Sequence, residues 1–488
     1  MKILLLTPPL LQPNTPYPAT MHLTGYLKSV GADVEQRDLS IKVVRDILIA
    51  YGDETTEEIL EILEFLGGPS PVEEKIEASA LIEALASRIR RKVDKNFGFS
   101  RYAEKLCTAV SRFSTLERRV EKRGVMDESL EMRIDEAMNE TRPDVVGVTC
   151  PFPGTLIGAF KTARYIKRKY PGVKTVLGGG YVTTELRQIK STRPFKYFDS
   201  IICDEGYVPL AEMAGVENAA VPSFVAPSYE GIDWDEYFDI IQSDNFVTGL
   251  WSSGKWIKLI MSRGCYWGKC AFCDVKLPYI GSFKMPSAKD IVDAAESLLA
   301  VSPEFPHERN LSLAGIHFVD EAMPPRLVSQ VCDEIISRGL EFEWWGNIRF
   351  DSAFTASLAR KMAKAGCICV TGGLECANDR LLKLMNKGIT CASAEKVLEH
   401  FSAAGIAVHA YLMYDFPTET AAEMREAERY VKSLAARNLV QSVFWHRFAL
   451  TVHSPIAREP ERFSLRILPY KSDFAVNEIP YVAMRAKK

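Results

Sequence analysis

Three cysteines, Cys265, Cys270 and Cys273, carry the clearest chemistry in this chain. They sit in the run Ser262-Arg263-Gly264-Cys265-Tyr266-Trp267-Gly268-Lys269-Cys270-Ala271-Phe272-Cys273-Asp274. Three thiolates on one glycine-containing loop can hold three corners of a cubane iron–sulfur cluster and leave one iron open to a ligand. Such a site does one-electron chemistry. The competing reading is zinc, which usually takes four protein ligands, and the chain has no second CxxC. Gly264 and Gly268 permit the tight loop, and Arg263 and Lys269 would offset part of a cluster's negative charge.

The elements that must position this loop read as a repeating strand–helix series. Strands are expected at 257–261, 315–319, 342–347, 367–371, 407–414 and 443–450, separated by helical periods. Six such repeats imply a partial (β/α)6 barrel, whose chemistry belongs at the strands' carboxyl ends. The polar residues fall there: Asp320-Glu321, Trp345 with Arg349 and Asp351, Gly372-Gly373-Leu374-Glu375, Tyr414-Asp415, and His446. Each alone has an ordinary explanation. An acid ahead of a helix caps it, Arg349 can pair with Asp351, and single histidines are commonly structural. The set in register favours a site. Cys367, Cys369, Cys376 and Cys391 share no tight loop and read as small buried residues.

Ahead of the barrel, strands at 2–7, 33–38, 144–149, 174–178 and 200–203 alternate with helices, as in a Rossmann-like parallel sheet. A charged helical block at about 42–141 interrupts it. The expected division is a first domain at 1–224, a linker at 225–256, the barrel at 257–450 and a cap or tail at 451–488. The 488 residues allow two to four domains. Apolar content of 47% and charged content of 25% are those of a globular protein, and the net charge of −3 offers nothing to nucleic acid. Eleven cysteines without framework spacing suit a reducing cytoplasm. The opening MKILLLTPPLLQP reads as a strand, not a signal peptide, and no run of apolar residues is long enough to span a membrane.

The cysteine loop, Phe272 before the last cysteine, and the strand ends that follow resemble the radical S-adenosylmethionine superfamily over about residues 257–450. One residue more than usual separates Cys265 from Cys270. The resemblance implies a [4Fe-4S] cluster on Cys265, Cys270 and Cys273 that donates an electron to S-adenosylmethionine and releases a 5′-deoxyadenosyl radical. By the same resemblance Phe272, Asp320, Glu321, Arg349, Glu375 and Tyr414 would contact S-adenosylmethionine, with Trp345 and His446 towards substrate. The first domain resembles the cobalamin-binding domain of the B12-dependent subgroup at Thr7-Pro8-Pro9, Gly147–Thr149, Gly178–Thr183 and Cys203–Gly206. Pro8, Pro9, Thr149, Gly178, Gly179, Gly180, Thr183 and Glu205 are the cobalamin contacts it implies. The DxHxxG segment that supplies a histidine to cobalt is absent. The function implied is cobalamin-dependent methylation of an unactivated carbon on a small molecule or peptide, with an external flavodoxin- or ferredoxin-type electron donor. A radical oxidoreductase, cyclase or rearrangement enzyme with a cobalamin-free first domain is the alternative. A non-catalytic corrinoid or cluster sensor is a third reading, and it has no need of the strand-end set.

Overall fold

The computed structural model describes residues 1–51, 56–68, 70–93, 97–99, 110–252, 256–300 and 315–484. The chain forms two compact units. The first holds Met1–Lys255 with Lys471–Val476, and the second begins at Trp256 and takes the other described residues.

In the first unit, β1 (Ile3–Thr7), β2 (Val34–Asp38), β3 (Val145–Thr149), β4 (Lys174–Gly178) and β5 (Ser200–Ile201) form one sheet, in the order β2-β1-β3-β4-β5. All pairs are parallel. Every residue of β1 and β3 is buried because helices cover both faces. Ile3 and Leu5 enter one apolar cluster with Val145 and Val176, whereas Leu4 and Leu6 enter another with Val146 and Leu177. The strand order turns between β1 and β3, which in open parallel sheets is where a crevice for ligands forms.

Between β2 and β3 run helices Leu39–Tyr51, Thr56–Gly67, Val72–Val93, Phe113–Glu121 and Asp127–Thr141. Parts of the expected helical block, at 52–55, 69, 94–96 and 100–109, lie outside the described residues. Ile47, Leu63, Leu85, Leu116 and Ile134 join the same cluster as Leu4 and Leu6, so these helices extend the sheet's own core.

Two boundaries differ from expectation. Residues 225–252, read as a linker, belong to the first unit. Val225, Phe238, Ile240 and Ile241 are buried there without regular structure, and Lys75 Nζ meets Asp239 at 2.7 Å in a buried pair. Residues 253–255 lie outside the described set. The tail, read as a cap on the barrel, sends Lys471–Val476 back to the first unit. There the Asp473 carbonyl accepts from the backbone of Lys190 and Ser191, and its carboxylate takes the Phe113 N–H at 2.9 Å. The rest of the tail includes an antiparallel pair, β12 (Leu465–Ile467) and β13 (Tyr481–Ala483).

The second unit is built on β6 (Trp256–Leu259), β7 (Gly315–Phe318), β8 (Glu343–Ile348), β9 (Cys367–Glu375), β10 (Ala407–Tyr414) and β11 (Ser442–Arg447). They lie side by side in chain order as a six-stranded parallel sheet, the arrangement of a partial barrel. Helices Pro325–Arg338, Ala356–Lys364, Cys391–Ala403 and Ala421–Ala436 return the chain between strands. The last two begin with capping boxes, Thr390 with Ser393 and Thr420 with Glu423, which satisfy the first free N–H groups. Strand register sets residues of different strands at one height. Lys258, His317, Trp345 and Cys369 form one layer, and Asn347, Thr371, His409 and Ser442 form the layer above. No helix among the described residues is long and apolar enough to cross a membrane.

Candidate active site at the carboxyl edge of the barrel

A cavity of about 400 Å³ opens where the strands of the second unit end, and Cys265, Cys270 and Cys273 all line it. The loop that carries them follows β6 and is held from two sides. Cys265 N–H donates to Ile280 O at 2.9 Å, and Arg263 and Lys284 exchange backbone bonds at 3.0 Å. Gly264, at φ +71°, has only 2.8 Å between the position of a Cβ and Ile280 O, so this contact requires glycine. On the other side Ala271 N–H donates to Met385 O, Trp267 Nε1 to Asn386 O, and Asn386 Nδ2 to Lys269 O. A turn after β9 thereby clamps the cysteine loop.

Cations gather on the thiols. Arg349 Nη1 lies 3.7 Å from Cys270 Sγ, its guanidinium stacks on Trp267 at 4.7 Å, and its other amino group donates to Lys387 O. Lys387, fully enclosed, meets Glu375 Oε1 at 2.6 Å and lies over the Phe272 ring at 5.8 Å. Hydrogen bonding from Cys273 lowers the Cys270 thiol to about 6 against the cost of burial, with Lys387 and Arg349 reinforcing it. The Cys273 thiol moves upward, because it holds the shared proton. Burial opposes the charge on Lys387, but Glu375 and Cys270 overcome it and its pKa is raised.

The same cavity is lined by Glu321, Asn347, Thr371, Gly373, Glu375, Tyr411 and His446. Glu375 has φ +55°, a strained backbone for a residue with a side chain, and such strain concentrates at functional sites. Gly373 leaves the space: a Cβ there would overlap Glu375 Oε1 and come within 2.8 Å of Lys387 Nζ. Asn347 donates to Asp320 O at 2.8 Å and accepts from the Thr371 hydroxyl, which fixes the cavity floor. Glu321 lines the cavity while remaining exposed to solvent.

Of the residues expected at this site, Cys265, Cys270, Phe272, Cys273, Glu321, Arg349, Glu375 and His446 line the cavity together. Three do not. Asp320 is buried with both oxygens engaged, one by Met261 N–H at 2.8 Å and the other by Ser262 N–H at 2.6 Å and its hydroxyl at 2.9 Å. It ties down the start of the cysteine loop, and Glu321 is the acid that reaches the cavity. Trp345 is buried a layer below, stacked on His317 with 3.5 Å between rings. Tyr414 is not in the cavity wall: Tyr411 lines the cavity, and side chains alternate along β10, so the residue three positions on faces the other way. Thr371 also lines the cavity, although no expectation from sequence fell on it. Period-two counting back from Glu375 would have found Thr371 and Gly373. Cys367, Cys369 and Cys376 are buried and lie away from the cavity wall; burial pushes Cys369 up to about 12.

In the first unit, Thr7 and Thr149 end the neighbouring strands β1 and β3, and both hydroxyls are buried without a hydrogen-bond partner. Pro8 and Pro9 are buried, and Gly158 lies so close to the Pro9 carbonyl that no side chain would fit. Gly179 (φ +113°) is held by Cys150, whose backbone lies 2.7 Å from the position of a Cβ. Gly178 and Gly180 are less confined. Thr183 Oγ1 accepts from Asp204 N–H at 3.0 Å, and Glu205 is half-buried in the turn after β5.

The second unit is an open six-stranded parallel barrel that carries three cysteines on the loop after its first strand. Residues 259–431 match the family model described as the Radical SAM superfamily. An uncharacterised methyltransferase of Pyrococcus horikoshii is 23% identical over 324 residues, covering 60% of this chain and 64% of the relative. The anaerobic magnesium-protoporphyrin IX monomethyl ester cyclase of Rubrivivax gelatinosus is 23% identical over 325 residues, covering 62% of this chain and 56% of the relative. The chain thus spans less than two thirds of the length of these relatives. Two solved structures share the fold along nearly the whole chain. OxsB, a cobalamin-dependent S-adenosylmethionine radical enzyme with aqua-cobalamin and S-adenosylmethionine bound, has a TM-score of 0.59 at 14% identity, covering 99% of this chain and 64% of that one. TsrM from Kitasatospora setae, a radical S-adenosylmethionine methyltransferase with cobalamin and a [4Fe-4S] cluster bound, has a TM-score of 0.57 at 15% identity, covering 97% and 82%. The match to the Radical SAM superfamily thus falls on the barrel, and the fold that contains it is shared with OxsB and TsrM.

Proposed function

We propose that this protein is a cobalamin-dependent radical S-adenosylmethionine methyltransferase acting on an unactivated carbon of a small molecule. The observation that carries the reading is the convergence of Cys265, Cys270 and Cys273 on one cavity with Arg349, Lys387 and Glu375. The donor set fits an anionic cluster. Three thiols share a wall, two cations lie at Cys270, and Gly264 admits the close packing that the loop needs. When bound, the cluster supplies one electron to the sulfonium of S-adenosylmethionine, and cobalamin supplies a cobalt centre competent in methyl transfer. Glu375, held by Lys387, offers a fixed carboxylate to ribose hydroxyls, and Glu321 offers one to the methionine amine. Phe272 gives the cavity an apolar face. The volume of about 400 Å³ lies within the range of small-molecule sites.

Cobalamin is supported by the first unit's own residues. The orphaned hydroxyls of Thr7 and Thr149 sit at the strand ends where an open parallel sheet takes a ligand, and unsatisfied buried polar atoms are uncommon without one. OxsB and TsrM, which share the fold, are both described with cobalamin bound. A radical cyclase is the second reading, favoured by the Rubrivivax relative's name.

The test is anaerobic reconstitution with iron, sulfide and hydroxocobalamin, followed by gel filtration. A corrin band and a cluster band should both stay with the protein, and Cys265→Ala, Cys270→Ala or Cys273→Ala should remove the cluster band. A retained cluster without corrin would reject the cobalamin reading and leave the cyclase.

A further inference from the structure

The outer face of the cysteine loop differs in character from the rest of this acidic chain. Residues 262–289 carry five cations, Arg263, Lys269, Lys276, Lys284 and Lys289, and one acid, Asp274. That acid is buried and accepts from the Thr451 hydroxyl at 2.6 Å, so it presents no charge at the surface. Lys289 is paired with Asp293 at 2.6 Å. Among the described residues, Lys276 and Lys284 have no salt-bridge partner. On either side of Lys284 the chain exposes two large apolar side chains, Phe283 (40% exposed) and Met285 (41%).

These residues form one knot with the loop. Arg263 and Lys284 are joined through their backbones, Cys265 N–H donates to Ile280 O, and Gly281 comes within 2.6 Å, by Cβ position, of Val275 O. Val275 and Ile280 line the cavity on its inner side. Lys276 adjoins Val275 in the chain, and Phe283–Met285 follow Ile280 in the same bonded segment. Unpaired lysines in one segment with exposed apolar side chains are the composition of a transient protein-docking surface, in which charge steers the encounter and the apolar side chains hold it.

We propose that the surface of Lys276, Phe283, Lys284 and Met285 docks an acidic one-electron carrier protein. The inference rests on the proposed function, whose chemistry needs an electron from outside the chain. One electron leaves the reduced carrier, which is oxidised by one electron, and enters the site behind Val275 and Ile280. No bond or proton changes in the transfer. Docking here sets the carrier's redox centre beside the segment whose Val275 and Ile280 line the cysteine cavity.

The test uses the full chain with its cluster reconstituted, reduced flavodoxin as the probe carrier, and dithionite as a small reductant that needs no docking. Flavodoxin affinity and the rate of cluster bleaching should both fall about tenfold between low and physiological salt, as for steered encounters. Lys276→Glu with Lys284→Glu should lower both about tenfold or more, and Phe283→Ala severalfold, while dithionite bleaches every variant at the wild-type rate. Flavodoxin binding that ignores salt and the double variant would overturn the proposal, as would an equal loss of rate with dithionite. Affinity is measured by calorimetry whether or not the cluster loads, so this arm decides the docking question by itself. Failure of the proposed function reads differently, as no S-adenosylmethionine cleavage with dithionite in the wild type.

Discussion

Two glycine-rich strand ends in this molecule use the same residue for opposite purposes. At the end of β9, Gly373 leaves out a Cβ so that the carboxylate of Glu375 and the ammonium of Lys387 can meet beside the cavity. At the end of β4, Gly179 leaves out a Cβ so that the backbone of Cys150 can pass. The first glycine makes room for charge, and the second makes room for chain. A strand end is functional when the space it opens is filled by ionised side chains held against strain, as with Glu375 at φ +55°. Where the space is filled by backbone, the glycine serves folding. Within the first unit, the Thr7 and Thr149 hydroxyls are thus better markers of a ligand than the glycine triplet.

The largest effect should come from breaking the charged space. Lys387→Met leaves Glu375 buried without its partner, at a cost of about 3–5 kcal/mol in urea unfolding, and S-adenosylmethionine affinity should fall more than tenfold in equilibrium dialysis. Stability and affinity unchanged together would show that the pair is ornamental. Gly179→Ala should cost about 1–3 kcal/mol through overpacking and strain while leaving S-adenosylmethionine affinity as it was.

Asp320 separates the two strand-end roles by pH. Burial raises it to about 7 despite the hydrogen bonds it accepts from Met261 and Ser262. The unfolded chain releases this proton near the ordinary carboxylate pKa, so between about pH 4 and pH 7 the folded state binds more protons and stability from this group falls as pH rises. Wild type should lose stability relative to Asp320→Asn between pH 5 and pH 8 in urea midpoints. A parallel pair of pH profiles would remove Asp320 from the account. The smallest expected effect is Thr149→Val. The hydroxyl has no partner, so stability without cobalamin should stay within about 0.5 kcal/mol, while hydroxocobalamin retention weakens. An unaltered corrin affinity would detach Thr149 from the ligand crevice.

The barrel was legible because its six strands repeat with helices between them, and each strand's carboxyl end carries residues that stand out by type. Period-two alternation in β9 and β10 carried the inward-facing set, but its use needs the register. Tyr411 lines the cavity, and alternation along β10 then turns Tyr414, three residues on, to the other face. Asp320 and Glu321 are adjacent acids whose opposite fates, one tied to Ser262 and one on the cavity wall, depend on which way each side chain points. Residues 225–252 gave no signal because irregular chain buries Phe238 and Ile240 without periodicity. The return of Lys471–Val476 to the first unit is set by contacts such as Asp473 with Phe113, 360 residues apart, which no local pattern encodes.

The central claim is that the three cysteines and the charged strand end form one S-adenosylmethionine-cleaving site. Its most direct test is the yield of 5′-deoxyadenosine from anaerobically reconstituted protein given dithionite and S-adenosylmethionine. The wild type should release it, Cys270→Ala should release none, and Lys387→Met should require far more S-adenosylmethionine for the same rate. An intact, reducible cluster in the wild type that yields no 5′-deoxyadenosine would contradict the account.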